Sequence, residues 1–322
     1  MSLFSALLPW LRPAPSIDEV DRRAIARAVA AVDPLLQSVP DFERRLAPAL
    51  RQARDYCAEL AVTLPGPIEI DARAYACDPL VHACFASSGD IDAMIGMSRE
   101  LRDFLVSGPA AASDPLFALL AMRRHERATL GMAMNGEVLQ RDVPQRVVYF
   151  SDHTLAAVCG EFAELHPRLQ QLGVDSLVGS FAAHLSGRRR ERDALRAERD
   201  MMRSAGRHDP DRDPAHRRRL EALDEELRRA AQAQDPARIL DELAAWLSEP
   251  SAHLRLEPVS LSIDAMGIKA PSAGVPLRFP ELIGRDRRRW ILQLASIPRS
   301  AVLRALAAQR DREERAYRTL II

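Results

Sequence analysis

Strand-like alternation occurs in two blocks of this chain, residues 116–150 and 254–296, and the sequence between them is helical and heavily charged. Two remote blocks join one sheet only if the helices between them form an insertion. The expected fold is therefore α+β and helix-dominated. An antiparallel sheet draws strands from residues 116–150 and 254–296, with a charged, coiled-coil-like helical hairpin over 175–233 inserted between them. Around that plan the sequence divides into an apolar arm over 1–13, a helical region over 14–108, a β-meander leading into helix over 109–174, and a closing region over 234–322.

Helix starts are written with acidic and hydroxyl caps. Ser16-Ile-Asp-Glu19 reads as a capping box. Asp33-Pro34, Asp78-Pro79 and Asp235-Pro236 each place a capping carboxylate before a proline at the first helical position. From Asp41 to Leu64, apolar residues recur every three or four positions (Phe42, Leu46, Leu50, Ala53, Cys57), a helical stripe with Pro48 as a kink. A long helix is expected from Asp175 to Ser204, then a loop at residues 209–214 and helix again from Ala215 with Leu220, Leu223 and Leu227 along a seam. A last helix is expected from Arg299 to Leu320.

For residues 116–150 the expectation is a four-stranded meander, with Arg123–Glu126 as a polar break, Asn135-Gly136 as a tight turn and Val143-Pro144 as a second turn. Met132 would then face Leu139, and one face would collect Leu130, Met132, Met134, Leu139, Val148 and Phe150. Helical pattern is expected to resume at Leu155. In the later block, Leu254–Ile263 suits an edge strand because of Pro258, residues 267–280 read as a Gly/Pro-rich loop, and Trp290–Ala295 reads as a strand.

Charge narrows the functional classes. The 45 basic and 45 acidic side chains cancel, which argues against a dedicated polyanion binder. Arginine supplies 44 of the 45 basic residues, with Lys269 the lone lysine; abundant Ala, Pro and Asp make this a signature of codon bias in a GC-rich bacterial genome. Charge is densest over Arg188–Arg229, with 14 Arg and 11 acidic residues. Such a hairpin suits a partner-binding or self-associating arm, or a solvated spacer. A nucleic-acid contact through Arg188, Arg189, Arg190, Arg217, Arg218 and Arg219 is disfavoured, because interleaved carboxylates repel phosphate and no aromatic is near to stack a base.

Candidate chemistry is sparse. Ser151-Asp152-His153 holds triad residue types, but in a regular strand Ser151 and His153 point one way and Asp152 the other. With Asp142 these are the candidates for a dispersed catalytic site on the sheet. Cys77, His82 and Cys84 lack the paired spacing of a zinc site, and the four cysteines are expected to be free thiols. No phosphate loop, dinucleotide fingerprint or metalloprotease motif occurs, so no cofactor or metal is implied. Met1–Arg12 carries Trp10 near Arg12, which suits either docking on a protein surface or a membrane-interface contact. With no secretory pattern or long apolar run, a cytoplasmic protein is expected. The sequence thus favours an interaction or scaffold protein over an enzyme, with a nucleic-acid accessory factor as the third class.

Overall fold

A computed structural model of the chain describes residues 17–107, 112–135, 138–206, 214–264, 266–270, 274–284 and 289–320. The apolar arm, residues 209–213 of the expected loop and Gly136 of the expected turn lie outside the described residues, and Pro214, the last residue of that loop, opens a helix. In chain order the elements are α1 (Glu19–Val32), a 3-10 turn (Pro34–Ser38), α2 (Phe42–Thr63), β1 (Ile68–Glu69), α3 (Ala72–Cys77), α4 (Pro79–Cys84), α5 (Ser88–Met97) and α6 (Arg99–Val106). There follow β2 (Leu116–Asn135), β3 (Val138–Cys159), α7 (Phe162–Gly206), α8 (Pro214–Gln232), α9 (Pro236–Ser248), β4 (Leu254–Ile263), β5 (Val275–Gly284), β6 (Arg289–Ile297) and α10 (Arg299–Leu320). The chain divides into two compact units, residues 1–55 with 174–250 and residues 56–173 with 251–322.

The first unit is helical. Asp18 caps α1 by accepting from the backbone N–H of Asp21 at 2.6 Å, a role the sequence pattern gave to Ser16, which lies outside the described residues. Asp21 is itself buried and is held by Arg54 at 2.8 Å and Arg51 at 3.4 Å. Helices α7 and α8 pair as the expected hairpin: Arg203 meets Asp224 at 2.8 Å, Arg219 meets Glu198 at 2.7 Å, and Leu223 and Leu227 are buried along the seam. Trp246 of α9 donates from its ring N–H to the Leu177 carbonyl at 3.2 Å and meets Phe181 edge-on. Helix α7 begins at Phe162 rather than near Asp175, running through both Pro167 and Gly173.

The second unit is built on one mixed sheet in the order β3-β2-β6-β5-β4, with β1 parallel to β6 and every other pairing antiparallel. Strands before and after the helical insertion share it, as the two-block pattern predicts. Alternate residues of β2 serve opposite faces. Leu116, Ala118, Leu120 and Met122 join a large core with Ile291 and Ile297 of β6, packed against Ile91 and Ile95 of α5 and Val302 of α10. On the other face Leu119, Leu292 and Leu294 meet Ala61 and Leu64 of α2 and Leu165 and Leu169 of α7. Burying each such leucine or isoleucine is worth roughly 1.5–3 kcal/mol, so both faces are fixed and register with them.

The expected four-stranded meander is a single hairpin of two long strands, 20 and 22 residues. Arg123–Glu126 continues β2, because its charges find partners on neighbouring strands. Pro144 is tolerated because β3 is an edge strand. The turn is also shifted: Asn135 pairs with Val138, so Met134 and not Met132 faces Leu139. Leu130, Met132 and Leu139 are exposed while Val148 and Phe150 are buried, so the apolar face expected to hold all of them does not form.

Three β-bulges explain the rest of β3. The register shifts between Phe117 and Leu119, Ala121 and Arg123, and Gly131 and Ala133, each time with an extra residue on β3. Ala157, Asp152 and Asp142 sit at these places with φ of +55°, +53° and +55°. A bulge turns period two into a step of three, so Leu155 and Val158 share the large core. That step is what reads as helix from Leu155 in the sequence; the chain is in fact strand to Cys159.

The sheet's two edges are joined. Val148 donates its N–H to the Gly267 carbonyl at 2.8 Å and Lys269 donates to Arg146 at 2.8 Å, while Ala270 donates to Ser262 at 2.9 Å. Residues 267–270 thus bridge β3 to β4. The turn into this strap is fixed by Asp264 Oδ1, which accepts from the N–H groups of Met266 and Ile268 at 2.9 Å each. Gly267 has φ +76°, and a Cβ there would lie 2.7 Å from the Val148 carbonyl oxygen, so no larger residue fits. Of the Gly/Pro-rich loop expected over 267–280, residues 267–270 are this strap and residues 275–280 belong to β5.

Candidate functional site

The curled sheet and α3–α4 enclose a cleft of about 760 Å³ in the second unit. Phe85, Val148, Phe150, Ile263 and Leu277, all buried, make its floor. Its rim carries Tyr75, His82, Asp78 and Asp264. Local structure holds each rim group. Tyr75 donates its hydroxyl to the Ala86 carbonyl at 3.0 Å and its ring lies 4.7 Å from that of His82, whose Nδ1 is 3.3 Å from the Tyr75 carbonyl. Asp78 caps α4 by accepting from the Leu80 N–H at 2.8 Å.

A charged cluster spans β2, β5 and β6. Glu281, fully buried, accepts from Arg124 at 3.3 Å and from Arg289 at 3.0 Å. Arg124 also reaches Glu126 at 2.6 Å, and Lys269 of the strap donates to both oxygens of Glu126 at 2.8 Å. The lone lysine, Lys269, therefore ties the strap to β2.

The sequence candidates do not converge. The bulge at Asp152 sends Ser151 and His153 to opposite faces, where a regular strand would have put them on the same one. His153 meets the Cys84 carbonyl at 2.7 Å and stacks on Phe85 at 4.6 Å. Ser151 Oγ lies 2.8 Å from His125 Nε2, and His125 stacks on Tyr149. Asp152 pairs with Arg123 at 3.6 Å and does not reach the Ser151–His125 pair through any hydrogen bond described. Asp142 sits nine residues along the ribbon from Ser151, about 30 Å at the rise of a strand. The Ser151–His125 contact was hidden from sequence reading because its partners are 26 positions apart.

The arginine triplets are largely engaged within the chain. Arg188 pairs with Glu242 and donates to the Ala233 carbonyl at 2.9 Å, Arg189 pairs with Asp33, and Arg190 contacts the Ser186 carbonyl at 3.4 Å. Arg219 lies opposite Glu198, ten residues beyond Arg188 on α7, so the triplets stand about 15 Å apart along the helix. Arg217 and Arg218 lie in the first turns of α8.

All four cysteines are free; Cys57, Cys84 and Cys159 are buried and Cys77 is exposed. Burial pushes the Cys57 thiol up to about 12 and Cys159 to about 11, and raises Cys84 as well, so these three stay protonated near neutrality. Among the described residues no group of three or more His, Cys, Asp or Glu is placed to hold a metal ion, and no helix is long and apolar enough to cross a membrane.

One surface was invisible to motif reading. Beyond Met122, β2 pairs only with β3, so its outer edge carries no strand among the described residues. The three extra residues all lie on β3, which leaves β2 regular along its length. Residues 128–133 (Ala-Thr-Leu-Gly-Met-Ala) bear no charge and no proline, and Leu130 and Met132 are 66% and 60% exposed. Comparison of the chain with protein-family models, curated proteins and solved structures finds no match.

Proposed function

We propose that this chain is an interaction protein, not an enzyme, and that its contact surface is the free edge of β2, which takes an extended segment of a partner protein as an added strand. The carrying observation is that uninterrupted edge. Natural sheets blunt exposed edges with charge, proline or bulges; residues 128–133 have no charge and no proline, and the bulge opposite Gly131–Ala133 has its extra residue on β3. Apolar side chains beside the edge, Leu130 and Met132 with Val138 and Leu139 on β3, supply the contacts that give such pairing its selectivity. The helical hairpin suits a supporting part in this reading. Arg203 and Arg219 are matched by acceptors on the facing helix and Arg188 by Glu242 of α9, which favours a stiff, solvated arm over a sticky one.

A photo-cross-linking residue at position 130 tests the reading. The expected product is a cross-link to a partner peptide of alternating apolar residues, lost in Leu130→Lys/Met132→Lys at an unchanged melting temperature. Partner binding retained in that variant overturns it, and loss on Arg217→Glu/Arg218→Glu instead moves the contact to the hairpin. Cross-links only between copies of this chain replace the partner with a second copy.

A further inference from the structure

The cleft of the second unit has nothing to do with the edge of β2 and calls for its own ligand. At about 760 Å³ it lies within the roughly 300–1,000 Å³ range of small-molecule sites. Its floor is hydrocarbon and aromatic ring, from Val148, Phe150, Ile263 and Leu277, which favours an apolar ligand body. Its rim carries two carboxylates, Asp78 and Asp264, and no lysine or arginine among the described residues lines it. Both carboxylates are fixed: each uses Oδ1 to hold a turn of backbone, Asp78 at the start of α4 and Asp264 at the strap. A fixed charge needs no reorganisation to receive a ligand of opposite sign. Tyr75 at the same cleft adds an aromatic ring, whose face attracts cations and repels anions.

We infer that the cleft binds a small organic cation, with an apolar body on the Val148–Phe150–Leu277 floor and an ammonium-type head held by the Asp78 and Asp264 rim. A neutral ligand of the same body binds more weakly, and an anion is rejected by the unpaired sign of the rim.

Three probes of one chain length and different heads separate body from charge: decyltrimethylammonium, decan-1-ol and decyl sulfate, each below its aggregation concentration, measured by calorimetry on the full chain. The expected order is cation, alcohol, sulfate, with at least tenfold between the first and last. Asp78→Asn/Asp264→Asn keeps both turns, because an asparagine oxygen accepts the same N–H groups. It is expected to bring the cation down to the affinity of the alcohol and to leave the alcohol unchanged. Ala86→Trp, at an exposed rim position, is expected to weaken all three. If the double variant fails to fold, salt titration of the wild-type chain serves instead: affinity for the cation falls with ionic strength and affinity for the alcohol does not. Sulfate binding as tight as the cation, a salt-independent cation affinity, a preference that survives the asparagines, binding indifferent to Ala86→Trp, or no binding of any probe each overturns the inference.

Discussion

Glu281→Gln is the most informative single change in the sheet. The carboxylate is 1% exposed and bridges Arg124 at 3.3 Å and Arg289 at 3.0 Å, so it is a buried charge answered from two strands. Glutamine keeps the shape and an acceptor oxygen but removes the charge. The two arginines then respond differently. The Arg289 side chain is 57% exposed and turns to water at a cost of about 0.2–1 kcal/mol, the usual worth of an exposed pair. The Arg124 side chain is 19% exposed and keeps Glu126 at 2.6 Å, so it loses one charge-assisted bond of about 1.5–3 kcal/mol. Together these give a loss of about 2–4 kcal/mol, or roughly 4–16 °C in Tm for a unit of this size. Arg124→Gln is worse, at about 3–5 kcal/mol, because it strips a partner from a buried carboxylate. Arg289→Gln takes a half-exposed partner from the same carboxylate, which keeps Arg124, and costs less, about 1–3 kcal/mol. Urea unfolding of the three variants at pH 7 reads the order directly. A Glu281→Gln chain within about 0.5 kcal/mol of wild type, or Arg289→Gln as costly as Arg124→Gln, refutes the assignment.

Two further outcomes follow from the same geometry. Iodoacetamide at pH 8 is expected to alkylate one thiol of the native chain, Cys77, and all four after unfolding in guanidinium; a second rapidly labelled cysteine contradicts the buried positions of Cys57, Cys84 and Cys159. The hydrogen bonds from Lys269 hold Glu126 below its ordinary pKa. Its stabilising contribution is therefore complete above the unfolded value of about 4.3 and is lost as the pH falls through the lower folded value. Lys269→Met removes that contribution and raises the midpoint of acid unfolding followed by circular dichroism, whereas an unchanged midpoint argues against the latch.

The insertion was legible because it changes both periodicity and charge: Leu220, Leu223 and Leu227 in a sea of Arg and Glu cannot be read as strand. The strands were legible only where they are regular. Bulges at Asp142, Asp152 and Ala157 interrupt the alternation of β3, so its last third mimics a helix and its candidate triad comes apart. Strand β5 was hidden by Pro276 and Pro280. Both are accommodated because β5 pairs with β6 only over Glu281–Ile283, so these prolines face no second ladder, and Pro280 lies opposite Pro258 of β4. The cleft could not be seen at all. Its walls come from residues 75–86, 147–150 and 263–277, and only the curl of the sheet brings them together.

The position of β6 bears on how such a chain can be made. It pairs with β1, β2 and β5, so it is the hub of the sheet, yet it is the last strand in the sequence. During synthesis the β2–β3 and β4–β5 hairpins can each form locally and the strap at 267–270 can link β3 to β4, but no strand joins β2 to β5 until Arg289–Ile297 has left the ribosome. Until then the inner edge of β2 over Leu116–Met122 is as bare as its outer reach, and Leu116, Leu120 and Met122 lack their cover. Folding of the second unit is therefore closed by a keystone strand that arrives last.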